Sequence, residues 1–206
     1  MMTHSQDKLL TQTKWSIDQV HSEITFKVKH LMISHVQGAF KTFDASIYTY
    51  GRDFTTAEID LWIKALSITT GNTKRDEHLT GPDFLDADKH KQITFNSSMM
   101  AKPDQQGNSV LWGEMTMVGI TKDIKLNVNF GGVVKDPWGN EKAGFSVTGK
   151  INRRDWGLEW NTLIEAGGVM VGDEVIISCE FQLINSGQND LTMELEPSVK
   201  RSDFFN

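Results

Sequence analysis

Apolar and polar residues alternate along most of this chain, and this period of two restricts the fold more than any other feature. Between Ser22 and His30 the residues of one phase are apolar, while those of the other phase are charged or polar. The same pattern recurs in later segments, as expected for antiparallel strands with one face toward a core. The predicted inner face consists of Ile24, Phe26, Val28, Ile59, Leu61, Ile63, Ile93, Phe95, Leu126, Val128, Val147, Ile177 and Phe181.

Eight or nine such strands in 206 residues indicate one domain, which we place at residues 14–186 between an N-terminal extension (1–13) and a tail (187–206). The apolar phase slips by one residue between Phe40 and Phe43, which predicts a β-bulge that bends the sheet toward closure. We therefore predict an all-β fold, an eight-stranded antiparallel β-barrel. The interior of such a barrel is filled by side chains or holds one small ligand.

Four narrow residues in the inner phase favour a cavity over a filled interior. These are Ala65, Ser97, Gly149 and Cys179. Ser97 belongs to a stripe that runs from Ile93 through Phe95 to Met99, all of which we expect to point inward.

One stretch, from Thr69 to Phe95, interrupts the alternation with five consecutive charged or ionisable residues, 74–78. Asn72 or Thr73 is suited to cap the start of a helix, and Gly81-Pro82 is suited to end it. The pattern predicts a short helical insert between two strands. In a barrel, we expect the segment 69–85 to close or line the interior.

Composition excludes several classes of function. A net charge of −6 without a Lys/Arg run argues against nucleic-acid binding. Residues 1–13 lack the run of about 7–15 apolar residues of a secretory signal, and no segment approaches the ~20 of a membrane span, so we expect a cytoplasmic protein. The six histidines show no metal-ligand spacing, and Cys179 stands alone, so we predict no metal.

Two charged groups are candidates for chemistry: Arg75, Asp76 and His78 on the insert, and Arg153 and Asp155 after a strand. They can be local ion pairs and turn caps, or guanidinium groups that grip a phosphate at a cavity mouth. The chain has no GxSxG, P-loop or GxGxxG motif, so we assign no catalytic residue and no cofactor.

Several blocks of the sequence, spanning residues 15–183, resemble the YceI-like family. The most specific are the His21-Ser22 pair, the run from Arg75 to Phe84 and the run Asn152–Gly157. The blocks read WSIDQVHSEITFKVKH, GAFKTFDASI, TTGNTKRDEHLTGPDFLDADKHKQITF, GEMTMVGITKDIKL and DPWGNEKAGFSVTGKINRRDWGLEWN. The positions that match the family's recurring residues are His21, Ser22, His30, Arg75, Asp76, His78, Leu79, Phe84, Arg153, Asp155 and Gly157.

The resemblance implies a lipocalin-like barrel, often dimeric, whose apolar tunnel binds a polyisoprenoid or a related long-chain amphiphile. It places His30 with the charged candidates at the polar mouth. The chain departs from the family at Lys91, where a proline is common, and in the long tail. Many relatives also carry a secretory leader.

Three hypotheses of function follow. The first is a carrier or store for a long-chain lipid such as a polyisoprenoid, an isoprenoid quinone or a fatty-acid derivative. The second is an enzyme that acts on an isoprenoid or phosphorylated lipid through Arg75, Asp76, His78 and Arg153. The third is a filled barrel that works through its outer surface. The alternating Leu191, Met193 and Leu195 of the tail suggest an arm that holds a homodimer together.

Overall fold

The computed structural model describes residues 11–163 and 169–189. It contains eleven strands and one α-helix, α1 (Thr73–Thr80). Short 3-10 turns are formed by Ala65–Ser67, before α1, and by Arg153–Trp156, after β10. The strands are β1 (Gln12–Ile17), β2 (Glu23–His30), β3 (Ser34–Phe40), β4 (Phe43–Tyr50), β5 (Asp53–Lys64), β6 (Ile68–Thr69), β7 (Gln92–Met100), β8 (Asn108–Met117), β9 (Ile120–Lys135), β10 (Glu141–Asn152) and β11 (Val171–Asn189).

The sheet closes on itself because β11 pairs with three strands along its length. Its second half pairs with β1, its first half pairs with β2, and β10 lies along its other edge. β3 and β4 pair in the same way with β2 and β1, and β6 and β5 pair with β3 and β4. The pairs β1/β2, β3/β4 and β5/β6 therefore act as three long interrupted strands. The result is the predicted closed eight-stranded antiparallel barrel.

The three interruptions, at residues 18–22, 41–42 and 65–67, lie side by side. The Gln19 side chain donates to the Phe43 carbonyl at 2.8 Å. The Lys41 amide donates to the Ser67 carbonyl at 3.1 Å. The predicted bulge between Phe40 and Phe43 is thus part of a band that bends three neighbouring strands together.

A second irregularity changes which residues of β7 face inward. The register of β7 against β8 shifts between Ser97 and Met99. Met99 is consequently exposed, whereas Met100 is buried. The prediction of an inner stripe through Met99 is therefore wrong beyond the bulge, because one extra residue moves every later side chain to the other face.

The boundaries of the strands differ slightly from the predicted domain. β1 begins at Gln12, which pairs with Asn189, so the strands extend beyond positions 14 and 186. Residues 190–206 lie outside the described residues, and the tail-mediated homodimer stays a prediction. Within the described part of the chain, no helix is long and apolar enough to cross a membrane.

An aromatic cluster occupies the barrel end that holds the β4–β5 and β9–β10 turns. The Phe54 ring lies 5.0 Å from Trp15, 5.4 Å from Phe130 and 4.9 Å from Phe145, between centroids. The Trp15 indole donates to the Thr49 hydroxyl at 2.9 Å. Because Trp15 and Phe54 are buried, this cluster fills that end, which we call the closed end. Any opening must be at the opposite end, beside α1.

The carboxylate of Asp18 organises the band at residues 18–22. It accepts hydrogen bonds at 3.0 Å from Lys142, from Gln182 and from the ring of His21. Ser22 joins the same region to β11 by accepting from the Gln182 amide. Burial raises the pKa of Asp18, but the hydrogen bonds from Lys142 and His21 outweigh it and hold the pKa at about 2.

We expect acid to weaken the fold through Asp18. A carboxyl with a lowered pKa in the folded state stabilises the protein above its ordinary pKa of 3.8, and this contribution is lost as the pH falls toward about 2. Asp18→Asn should therefore lower the free energy of unfolding at pH 7 by about 1–2 kcal/mol and flatten its dependence between pH 4 and pH 2. Urea unfolding at several pH values measures both effects. The exposed Asp60→Asn is the control, and equal slopes for the two variants would contradict the expectation.

Candidate functional site

The barrel encloses an apolar cavity of about 370 Å³, within the range of small-molecule pockets. All thirteen residues of the predicted inner face line it. The lining also includes Phe145 on β10, and Ile17, Ile47, Leu111 and Met115 on strands that the prediction did not use. That these residues contact a ligand stays a prediction, but the structure places them together around one space.

The narrow residues from which the cavity was inferred are mostly not the ones that create it. Cys179 lines the cavity, but Ala65 lies in a 3-10 turn outside it. The Ser97 hydroxyl donates to the Ala57 carbonyl, and a Cβ at Gly149 would lie 2.5 Å from Leu126 Cδ2. The open space is lined instead by small residues of other strands, Ala45 and Ala57.

Cys179 is a structural wall residue. Burial raises the pKa of its thiol to about 12, so the thiolate form is scarce at neutral pH. Such a thiol is a poor nucleophile and a poor metal ligand. Among residues 11–163 and 169–189, no three His, Cys, Asp or Glu side chains lie close enough to hold a metal ion.

The predicted helical insert covers the open end of the barrel. The Asn72 side chain caps α1 by accepting from the Arg75 amide at 3.1 Å, and the helix ends at Gly81. The insert contributes five residues to the cavity lining: Arg75, His78, Leu79, Phe84 and Leu85. The segment 69–85 therefore lines the cavity, as its position in the sequence predicts.

Arg75 lies half-buried at this end and faces the cavity. Its Nε donates to the Thr70 hydroxyl at 2.7 Å, and its Nη2 donates to the Thr70 carbonyl at 3.0 Å. Within the described ranges no carboxylate forms an ion pair with it. Because a guanidinium has five N–H donors, Arg75 keeps donors available for another acceptor.

Asp76, in contrast, does not line the cavity. Its carboxylate accepts from the Thr70 amide at 2.8 Å and from the hydroxyls of Thr69 and Thr70. It thereby fixes the turn that leads from β6 into α1. The structure thus places Asp76 beside the mouth, bonded to the preceding loop, and its predicted contact with a head group stays a prediction.

His78 belongs to an aromatic group at the mouth. Its Nε2 lies 2.9 Å from an oxygen of Asp83, and its ring meets Phe84 and Trp160 edge-on, with centroids 5.1 and 4.7 Å away. Phe84 and Trp160 also contact each other, at 5.3 Å. All three rings line the cavity, so they narrow its opening between the insert and the loop after β10.

Arg153 is the most deeply buried charge described, with 3% of its surface exposed. It donates to the carbonyls of Leu158, Trp160 and Gly172, the last two at 3.0 Å, and to the Asp173 carboxylate at 3.2 Å. Burial lowers its pKa, although Asp173 acts in the opposite direction. Arg153 lines the cavity, but most of its donors hold the loop after β10 onto β11.

The two remaining polar candidates differ in their positions. His30 lines the cavity at the end of β2. Asp155 is exposed on the 3-10 turn and is absent from the lining, and its predicted place at the mouth stays a prediction. The turn points it outward because it is Trp156, its neighbour, that is buried and donates to the Met115 carbonyl.

Three of the four residues of the enzymatic hypothesis, Arg75, His78 and Arg153, line the same cavity, but each bonds to other partners. Arg75 and Asp76 both bond to Thr70, His78 bonds to Asp83, and Arg153 bonds to backbone carbonyls and Asp173. No side-chain hydrogen bond joins any two of these four within the described residues.

Sequence reasoning missed several residues at the mouth, namely Lys29, Trp160 and Met170. Lys29 lies in the polar phase of β2, and Trp160 lies in a segment without periodicity, so the alternation gave no signal for either. Trp160 lies inside the last of the blocks that resemble the YceI-like family, but it was not among the residues matched there. A large aromatic residue in an irregular segment after a strand was the available hint.

Known proteins with a similar sequence or structure support this description. A family model described as a YceI-like domain matches residues 15–183. A UPF0312 protein of Staphylococcus epidermidis is 39% identical over 176 residues, which cover 84% of this chain and 99% of that protein. The crystal structure of a YceI protein from Campylobacter jejuni has a TM-score of 0.64 at 32% identity, covering 77% of this chain and 90% of the other. A polyisoprenoid binding domain from Saccharophagus degradans shares the fold, with a TM-score of 0.63 at 14% identity over 83% of this chain and 98% of that domain.

Proposed function

The chain belongs to the YceI-like family, and from this premise and the cavity we propose that it binds a long-chain apolar amphiphile inside its barrel. The ligand class is a polyisoprenoid, an isoprenoid quinone or a fatty-acid derivative. Binding serves to carry or store the molecule. A structural relative described as a polyisoprenoid binding domain supports this choice of class.

The observation that carries the proposal is the apolar cavity itself. Its lining is formed almost wholly by aliphatic and aromatic side chains, and its charged and histidine side chains lie at the α1 end. Burial of about twenty methylenes at roughly 0.8 kcal/mol each would supply on the order of 16 kcal/mol before the costs of ordering and association. An apolar chain in the barrel and a polar end at the mouth satisfy both parts of the site.

The head group is proposed to be anionic and to lie against Arg75. This guanidinium faces the cavity with donors to spare, and Lys29 and His30 lie on the same lining. Guanidinium groups bind phosphate and carboxylate with paired hydrogen bonds. Arg153, whose donors are largely occupied, is assigned to the support of the mouth.

Native mass spectrometry of the gently purified chain tests the proposal. We expect additional mass that organic extraction removes and that belongs to one class of long-chain lipid. If the head group is anionic, Arg75→Gln should lower the fraction of protein molecules that retain lipid about tenfold. The reason is that a charge-assisted hydrogen bond contributes about 1.5–3 kcal/mol.

The matched control is Arg52→Gln, at the closed end, where Arg52 forms an ion pair with Glu141. This variant should retain lipid like the parent protein. A chain that is empty after gentle purification, and that takes up neither a prenyl nor an acyl chain, would overturn the proposal. Equal retention by both variants would instead show that the head group does not depend on Arg75.

A further inference from the structure

Three large apolar side chains are exposed at the rim of the cavity mouth. Met32 and Ile33, in the turn between β2 and β3, are 45% and 86% exposed, and Leu163, in the loop after β10, is 84% exposed. Burial of such side chains normally contributes to stability, so their exposure requires an explanation when they cluster.

Backbone hydrogen bonds join these segments to each other and to the cavity. The Leu31 amide donates to the Met170 carbonyl, and the Met170 amide donates to the Thr162 carbonyl, both at 2.9 Å. Met170 itself lines the cavity. The exposed apolar tips are therefore continuous with the apolar interior of the barrel.

The turn that carries Met32 and Ile33 is held in a tight form. Leu31 and Met32 both have left-handed backbone conformations, with φ of 50° and 61°. Such conformations are unfavourable for residues other than glycine and persist where the surrounding structure imposes them. A fixed convex tip suits insertion into a fluid surface.

The hairpin of β2 and β3 is also locally cationic, although the whole chain has a net charge of −6. Residues 24–36, which include the turn and the parts of both strands next to it, contain two lysines and two histidines and neither Asp nor Glu. Nearby acidic groups on β11 are neutralised, since Asp173 pairs with Arg153 and Arg154 and Glu174 pairs with Lys150. Basic residues near an anionic membrane surface strengthen binding to it.

We propose that the mouth of the barrel docks on an anionic lipid bilayer. Met32, Ile33 and Leu163 insert at the interface, and Lys27 and Lys29 of the same hairpin face the lipid head groups. The docked orientation connects the cavity to the acyl region, so an apolar ligand can pass between them without crossing water. The inference rests on the proposed function for its purpose, but its test is independent of bound ligand.

Flotation of the full chain with vesicles tests the proposal. Vesicles of phosphatidylcholine with phosphatidylglycerol should bind the protein, vesicles of phosphatidylcholine alone should bind it less, and added salt should weaken binding. Ile33→Ser together with Leu163→Ser should lower the partition coefficient about tenfold or more, because two aliphatic anchors are removed.

The orientation is tested with a matched control at the opposite end. Trp138, in the β9–β10 turn, is 83% exposed and is a stronger interfacial residue by type. In a Cys179→Ser background, an environment-sensitive dye attached through Ile33→Cys should shift to the blue on vesicles, whereas one attached through Trp138→Cys should not. Trp138→Ser should leave flotation unchanged.

Two results would overturn the proposal: no binding of the parent chain to anionic vesicles, or equal binding by the double serine variant. Lipid retention, measured by native mass spectrometry, separates this failure from failure of the proposed function. A chain that retains lipid but does not float refutes docking alone. A chain that floats through Ile33 but never retains lipid refutes the carrier function alone.

Discussion

Arg153→Ala is expected to lower the free energy of unfolding by about 3–5 kcal/mol, because it removes the most deeply buried charge among the described residues. The guanidinium donates to the carbonyls of Leu158, Trp160 and Gly172 and to Asp173. Truncation removes the donor of the three carbonyls in a region that water reaches poorly, whereas Asp173 keeps Arg154 as a partner. Denaturant unfolding followed by circular dichroism measures the loss.

Arg154 provides a matched control, because it is the next residue and also pairs with Asp173, at 2.9 Å. It is exposed, so Arg154→Ala should cost less than about 1 kcal/mol. Arg153→Lys should recover only part of the stability, since an ammonium cannot reach three carbonyls in the geometry of a planar fork. Similar losses for the two alanine variants would contradict the clamp described for Arg153.

The wall of the cavity could be predicted from the sequence because a strand places every second side chain on one face. Ile24, Phe26 and Val28 needed only the alternation of β2 to be assigned to the interior. The closure of the sheet also had a local signal, the slip in phase at Phe40 and Phe43. Both the inward-facing residues and the closure of the sheet depend on residues that are neighbours in sequence. The fold could therefore be predicted from the sequence.

The polar mouth could not be predicted in the same way, because its residues are placed by contacts across the fold. Asp76 and Asp155 belong to the right segments, but one is turned toward Thr70 and the other toward solvent. Arg153 lines the cavity, yet most of its donors bond to three backbone carbonyls. The alternation of apolar and polar residues gives no sign of these bonds. A residue type indicates which bonds are possible, whereas the tertiary structure decides which are made.

The shape of the cavity also could not be predicted from the sequence. Gly149 gives no open space because Leu126 fills it, and Ala65 lies in a 3-10 turn rather than on the wall. Volume depends on how side chains of facing strands meet, so a list of small residues does not locate it. Ala45, which does line the cavity, had no distinguishing pattern.

Ala45→Trp is expected to abolish lipid retention almost completely. Ala45 lies on β4, opposite Leu61 of β5, and its side chain faces the cavity. An indole there would occupy a large part of a space of about 370 Å³ that an apolar chain must thread. Native mass spectrometry should show the bare protein mass, with no extractable lipid.

The neighbouring Ser46→Trp is the control, because Ser46 is exposed on the outer face of the same strand. It introduces the same side chain one position away and should leave the retained mass unchanged. Both variants should keep a β-type circular dichroism spectrum, since an indole in an existing cavity meets less overpacking strain than the ~1–3 kcal/mol of a filled core. If Ala45→Trp retained lipid as Ser46→Trp does, the lipid would lie outside the barrel, and the interior could not be its binding site.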